Sequence, residues 1–138
     1  MTRSWWLAIA GCALLALAWG VARFWYWEPA GVRRGSLVYA LKIPTAAKSF
    51  RPWSADSAPV YDVTHGNADA PSYTLIQYAS KQQPGLLEPQ IVAAGYSCQW
   101  FSTATLACAR SRHAVLQAQV TAHYDEATKT SQVTVHLY

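Results

Sequence analysis

The chain has 138 residues and a formal net charge of +4; hydrophobic residues make up 52% of it and charged residues only 13%. This composition excludes an intrinsically disordered chain, and the length suits one small domain with an appendage. The basic residues cluster beside one apolar segment rather than across a folded face, so we expect no nucleic-acid partner.

An apolar segment from Trp5 to Ala22 contains no charged residue. As a helix it would extend about 27 Å, close to the roughly 30 Å hydrocarbon core of a bilayer. Aromatic residues stand at both ends, where tryptophan and tyrosine favour the membrane–water interface. We therefore predict that residues 1–27 form a transmembrane anchor and residues 28–35 a short linker. The predicted contacts of the anchor are Trp5, Trp6, Arg23, Trp25, Tyr26 and Trp27.

Two alternatives to an anchor concern processing of the same segment. A cleaved signal peptide has an apolar stretch of about 7–15 residues followed by small residues, whereas this stretch is longer and is followed by aromatic residues. The sequence "IAGC", which ends at Cys12, is similar to a lipoprotein signal, but apolar sequence follows this cysteine instead of a polar tether. We therefore expect an uncleaved anchor.

The flanking charges and the cysteines indicate opposite orientations of the domain. Arg23, Arg33 and Arg34 outnumber Arg3, and the positive-inside rule then places the domain in the cytoplasm. The short tail before the segment and a cysteine pair suited to a disulfide favour export instead. We expect a periplasmic domain on a bacterial inner membrane, with Arg33 and Arg34 contacting anionic lipid headgroups.

Residues 36–138 are predicted to form a two-layer α+β domain, with an antiparallel sheet covered by one helical layer. The alternation in "GSLVYALKIP" (35–44) predicts a first strand, or an extended segment that leaves the membrane. Residues 44–59 contain three prolines among small and polar residues and should be largely irregular. Residues 58–66 are predicted to form a short strand that ends in a turn.

Two helices are predicted next in the chain. The first begins with Asp69 as the N-cap and Pro71 in the first turn, and it ends before Pro84. A strand is the alternative there, because "SYTLIQY" has high β-propensity. The second helix, over "LLEPQIVAAGY", ends at Gly95.

The remaining sequence predicts strands. Residues 97–110 suit a hairpin, and "AVLQAQVTAHYD" and "SQVTVHLY" each alternate apolar with polar residues. This alternation is typical of an antiparallel sheet with one buried face and one wet face. In a hairpin centred on Thr103, Cys98 lies opposite Cys108, close enough for a disulfide. The alternative is two reduced cysteines in the core.

The polar residues give no catalytic motif and no metal-ligand spacing. Of the four histidines, His123 and His136 share the wet face, but the simplest register places His136 opposite Gln119. We therefore expect no metal, no cofactor and no enzymatic activity. Phe50 and Trp53 are candidate contacts for a partner protein, and packing on the core is the alternative for both.

These observations favour a binding or accessory role close to a membrane. The expected partners are membrane lipid and either another envelope protein or a toxin that an immunity-type protein would capture. A cytoplasmic-facing adaptor, whose basic cluster binds anionic lipid, is the first alternative. A secreted or lipid-anchored enzyme of unknown class is the second.

Overall fold

The computed structural model describes residues 3–113 and 115–138, and in these residues the chain forms four helices and seven strands. The helices are α1 (Arg3–Tyr26), α2 (Leu37–Lys42), α3 (Thr45–Lys48) and α4 (Pro84–Ala93). The strands are β1 (Val32–Arg33), β2 (Val60–Thr64), β3 (Tyr73–Ser80), β4 (Ser97–Ser102), β5 (Thr105–Arg112), β6 (Val115–Asp125) and β7 (Thr130–Leu137).

Helix α1 is apolar around its whole circumference. Its side chains from Trp5 onward are exposed, and the stretch Trp5–Tyr26 is long and apolar enough to cross a membrane. A helix on the surface of a globular domain would instead bury one stripe of apolar side chains. Helix α1 is therefore a membrane anchor or a signal sequence, in agreement with the sequence prediction at that level of detail.

The seven strands form one antiparallel sheet in the order β1-β2-β3-β7-β6-β5-β4. One row of side chains crosses the middle of it: Tyr61 is opposite Ile76, Ile76 opposite Val135, Val135 opposite Val120, and Val120 opposite Cys108. All five residues are buried. This face carries the core, because the short helices α2 and α3 and the longer α4 cover it. The predicted α+β arrangement is confirmed.

Across the middle of the sheet, the side chains of the opposite face are polar or small. The corresponding row contains Gln77, Thr134, Thr121 and Ala107, which are exposed or half-buried. Since successive residues of a strand point to opposite faces, the alternation read from β6 and β7 assigns the buried face correctly. The predicted helix that ends at Gly95 is also confirmed as α4; Gly95 has a φ of 88°, which favours glycine.

The strand predicted over residues 35–44 is wrong, because this segment contains helix α2. The Ser36 hydroxyl caps the helix by accepting a hydrogen bond from the Tyr39 amide. Tyr39 and Ile43 are buried and Leu37 and Leu41 are exposed. Residues four apart share a helix face, so the alternating apolar residues fit a helix with one buried pair and one exposed pair.

The helix predicted from Asp69 is also wrong, because the segment forms strand β3 and the β-propensity alternative holds. Burial alternates along β3, with Ile76 and Tyr78 inside and Gln77 exposed. Asp69 instead lies in a turn, where its amide donates to the Asn67 side chain. Residues 44–59 are irregular except for the single turn of α3, Thr45–Lys48.

Residues 28–35, predicted as a linker, form part of the domain. Val32 pairs with Tyr61, and the Pro29 carbonyl accepts a 2.9 Å hydrogen bond from the Val63 amide. The Gly31 amide donates to the Asp62 carboxylate over 2.6 Å. Sequence patterning did not detect β1, because two residues are too few to show a period.

Helix α4 provides a matched pair of substitutions for testing this arrangement. Leu87 is fully buried, whereas its neighbour Leu86 is 63% exposed. We expect Leu87→Ala to lower the free energy of unfolding by about 2–5 kcal/mol, because it removes packed methyl groups and leaves a cavity. Leu86→Ala should change it by no more than about 0.5 kcal/mol. Urea unfolding of the full chain in detergent micelles, followed by circular dichroism, measures both; equal effects would contradict the described packing.

Candidate functional site

The hairpin of β4 and β5 carries the predicted disulfide. Cys98 and Cys108 are directly opposite each other, and their sulfur atoms are bonded. Trp100 lies opposite Leu106, so the predicted register is confirmed as well. Cys108 is buried beside Val120 in the core row. A disulfide at this position indicates an oxidising compartment, since such bonds are rare where thiols are kept reduced.

Strand β4 is the last strand of the sheet, and within the described residues it pairs with β5 alone. The Cα atoms of Cys98 and Cys108 are 4.0 Å apart, which is typical of a cross-strand pair that does not exchange backbone hydrogen bonds. The amide and carbonyl groups of Cys98, and of Trp100 two positions along, therefore point away from β5. We call this outer side of β4 the free edge.

Exposed apolar side chains lie on and beside the free edge. Phe101 is 71% exposed and Trp100 is 44% exposed. The Trp100 indole donates a 3.1 Å hydrogen bond to the Glu88 carboxylate, which holds the ring beside α4. Leu86, on the same helix, is also exposed. The free edge thus combines outward-pointing backbone groups with aromatic side chains. The sequence did not predict this combination, because the alternation within a strand does not show which strand lies at the edge of the sheet.

Phe50 and Trp53, the candidate partner contacts, are half-buried and pack against the core. Their rings are 5.1 Å apart in an edge-to-face arrangement, and Trp53 makes a similar contact with Tyr96 at 5.6 Å. The Trp53 amide donates to the Tyr78 hydroxyl, whose pKa is raised by burial. These contacts favour the core alternative for both residues.

Of the residues predicted to anchor α1, the aromatic ones are exposed: Trp5, Trp6, Trp25, Tyr26 and Trp27. Their contact with a membrane stays a prediction. The Arg23 guanidinium lies over the Trp19 ring, 5.8 Å from its centroid. One further basic residue, Lys42, joins this region. Its ammonium group donates a 2.7 Å hydrogen bond to the Trp25 carbonyl and lies 4.7 Å from the centroid of the Phe24 ring. Lys42 comes from α2, so its position depended on a helix that sequence patterning did not predict.

Arg33 and Arg34 were predicted to contact lipid headgroups. Arg33 lies opposite Val60, at the start of β2, whereas the Glu28 carboxylate accepts a hydrogen bond from the His65 amide, just beyond the other end of β2. Strand β1 therefore carries Arg33 away from the exit of α1. Headgroup contact by Arg33 and Arg34 stays a prediction.

The histidines and acidic residues do not gather at one place in the described part of the chain. Among the described residues, no group of three or more His, Cys, Asp or Glu side chains is close enough to hold a metal ion. His136 lies opposite Gln119 as predicted and packs 5.2 Å from the Tyr73 ring; burial lowers the pKa of its imidazole. Asp125 accepts a hydrogen bond from the Ala127 amide in the turn after β6, which lowers the pKa of its carboxyl.

Comparison of the chain with protein-family models, with curated proteins and with solved structures finds no match. The features available for a proposal of function are therefore those of the chain itself. They are the apolar helix, the disulfide and the free edge.

The disulfide makes a direct prediction about thiol reactivity. In native membranes, treated with an alkylating reagent without reductant, Cys98 and Cys108 should stay unmodified, because both sulfurs are engaged in the bond. After denaturation with reductant, both should react. Mass spectrometry of the corresponding peptides measures the labelling. Full modification of Cys98 before reduction would show that the bond does not form in the cell.

Proposed function

We propose that this chain is a single-pass protein of a bacterial inner membrane whose periplasmic α+β domain binds another protein of the envelope. The apolar helix α1 supports the membrane attachment. The disulfide between Cys98 and Cys108 supports the periplasmic side, because that compartment is oxidising and the cytosol is not. The partner is a subunit of an envelope complex or, for an immunity-type protein, a toxin.

The free edge is the observation that carries the binding role. An extended segment of a partner protein would add a strand beside β4, with its backbone pairing with the outward groups of Cys98 and Trp100. The exposed Phe101 would supply apolar contact area on the added strand. We propose binding rather than catalysis, because the groups that meet at this edge are backbone donors and acceptors and apolar side chains.

One observation favours the alternative of a cytoplasmic-facing adaptor. Arg23, Arg33 and Arg34 follow α1, and basic residues of short flanking segments favour the cytoplasmic side. The disulfide opposes this orientation, because cytosolic thiols are kept reduced. We rank the periplasmic orientation first for that reason.

Reporter fusions test the orientation. With the reporter joined after Tyr138, we expect alkaline phosphatase to be active and a cytoplasm-dependent reporter such as β-galactosidase to be inactive, because only the former folds in an oxidising compartment. The same fusions on a chain that lacks α1 provide the control, in which the pattern should reverse. The opposite pattern on the full chain would replace the periplasmic proposal with the adaptor.

Site-specific photo-crosslinking tests the partner. A photoreactive amino acid at Phe101 should form a cross-link to one discrete envelope protein in living cells, whereas the same group at Gln132, which is exposed on the central strand β7, should not. Gln99→Lys places a charge on the edge strand, which disfavours strand addition, and should reduce the Phe101 cross-link severalfold. Equal cross-linking from Phe101 and Gln132, or no effect of Gln99→Lys, would reject the free edge as the binding site.

A further inference from the structure

One end of the sheet lies next to the point where the chain leaves α1. Glu28 lies just beyond α1, and its carboxylate accepts a 2.7 Å hydrogen bond from the His65 amide. Lys42, at the end of α2, reaches back to the Trp25 carbonyl over 2.7 Å. The end of β2 that leads into His65 is therefore adjacent to the point where the chain leaves the helix.

Neighbouring strands continue this end of the sheet away from α1. Thr64, at the end of β2, lies opposite Tyr73 at the start of β3. Across β7, the Tyr138 amide donates a 3.0 Å hydrogen bond to the Gln117 carbonyl near the start of β6. Adjacent strands are about 4.8 Å apart, so β6 lies roughly 15 Å from β2 along this end.

An open cavity of about 730 Å³ lies at the same end. Its lining is mostly apolar, and the exposed fraction is 65% for Val115 and 43% for Tyr138. We call its main lining residues the apolar rim; they are Pro71, Tyr73, Val115, Leu116 and Tyr138. The helices α2, α3 and α4 pack on the core face of the sheet and leave four of these side chains exposed and Tyr73 half-buried.

The apolar rim combines the side chains that favour a membrane interface. The rings of Tyr73 and Tyr138 lie 6.1 Å apart, and tyrosine places an apolar ring and a polar hydroxyl in adjoining layers of such an interface. Arg112, which is exposed, lies opposite Val115 and adds a positive charge beside the aliphatic residues. A basic group next to apolar side chains is complementary to an anionic headgroup above acyl chains.

We propose that the apolar rim is a second membrane contact, which takes up lipid from the leaflet in which α1 ends. The attachment of Glu28 to His65 brings this end of the sheet to the bilayer, so lipid is the apolar material next to it. The polar layer of a bilayer is only about 5–8 Å thick on each side, which exposed aliphatic side chains can enter. The inference rests on the proposed insertion of α1 in a membrane, but not on the proposed partner protein.

Two points of attachment would orient the domain as well as hold it. Helix α1 alone permits rotation of the domain about the helix axis and tilting at its exit. Contact through the apolar rim, roughly 15 Å from β2 along the sheet, removes the tilting. The core face and the wet face of the sheet would then both be perpendicular to the membrane surface.

Spin labels at matched positions test the second contact. The full chain carrying Cys12→Ala is labelled with a nitroxide through Val115→Cys and reconstituted in vesicles of phosphatidylethanolamine and phosphatidylglycerol. We expect the label at Val115 to be relaxed several times more by oxygen than by a water-soluble nickel chelate, because oxygen concentrates in lipid. The control label, introduced by Phe101→Cys, also occupies an exposed apolar position, but on the free edge, and should be relaxed mainly by the nickel chelate.

A third label, introduced by Leu14→Cys in the middle of α1, separates the two proposals. A lipid-embedded Leu14 label together with a water-exposed Val115 label would overturn the second contact and leave the anchor intact. A Val115 label shielded from both relaxing agents would also overturn it, because protein and not lipid would cover the rim. Spin–spin broadening that disappears on dilution with unlabelled chain would identify that protein as a second copy. A Leu14 label outside the lipid would instead refute the anchor.

Discussion

The attachment of residues 28–31 to strand β2 determines which end of the sheet lies next to α1. Three hydrogen bonds make this attachment. The Val63 amide donates to the Pro29 carbonyl, the His65 amide donates to the Glu28 carboxylate, and the Gly31 amide donates to the Asp62 carboxylate. Pro29 is fully buried. A free linker would let the domain sample many orientations. These contacts attach residues 28–31 to β2 and so fix which end of the sheet lies next to the exit of α1.

The order of the strands then separates the two edges of the sheet. Strand β1, which follows α1 in the chain, forms one edge and is only two residues long. Strand β4 lies at the opposite edge, five strand spacings or roughly 24 Å from β2. An uncovered edge strand readily pairs with other chains, so proteins usually protect it. Among the described residues, β4 pairs with β5 alone and carries the exposed Trp100 and Phe101, which is why we regard it as a binding feature.

The parts of the fold that could be predicted from the sequence are those with a clear period and a unique partner. Strands β6 and β7 alternate over many residues, and the two cysteines of the hairpin set its register. The α2 segment could not be assigned from its pattern. Apolar residues at every second position fit a strand, and every second one of them is also four residues apart, which fits a helix. Only the cap at Ser36 and the burial of Tyr39 distinguish the helix from the strand. For β3 a helix was placed ahead of the strand alternative because Pro71 resembles a helix start. Pairing with β2 and β7 on both sides outweighs that local signal. The free edge and the apolar rim depend on strand order, which no local pattern contains.

The position of the disulfide links the compartment to the proposed binding site. An edge strand is held by one neighbour only, so β4 has half the backbone hydrogen bonds of a central strand and opens more readily. The bond from Cys98 to Cys108 ties β4 to β5, and Cys108 is itself packed against Val120 in the core. It joins this edge strand to the buried row of the sheet that contains Cys108 and Val120. In an oxidising compartment the disulfide thus helps to hold the free edge in the extended conformation that strand addition requires. After reduction, β4 would be held by its pairing with β5 and by the hydrogen bond from Trp100 to Glu88. The same covalent bond that indicates where the domain resides therefore maintains the surface through which we propose it acts.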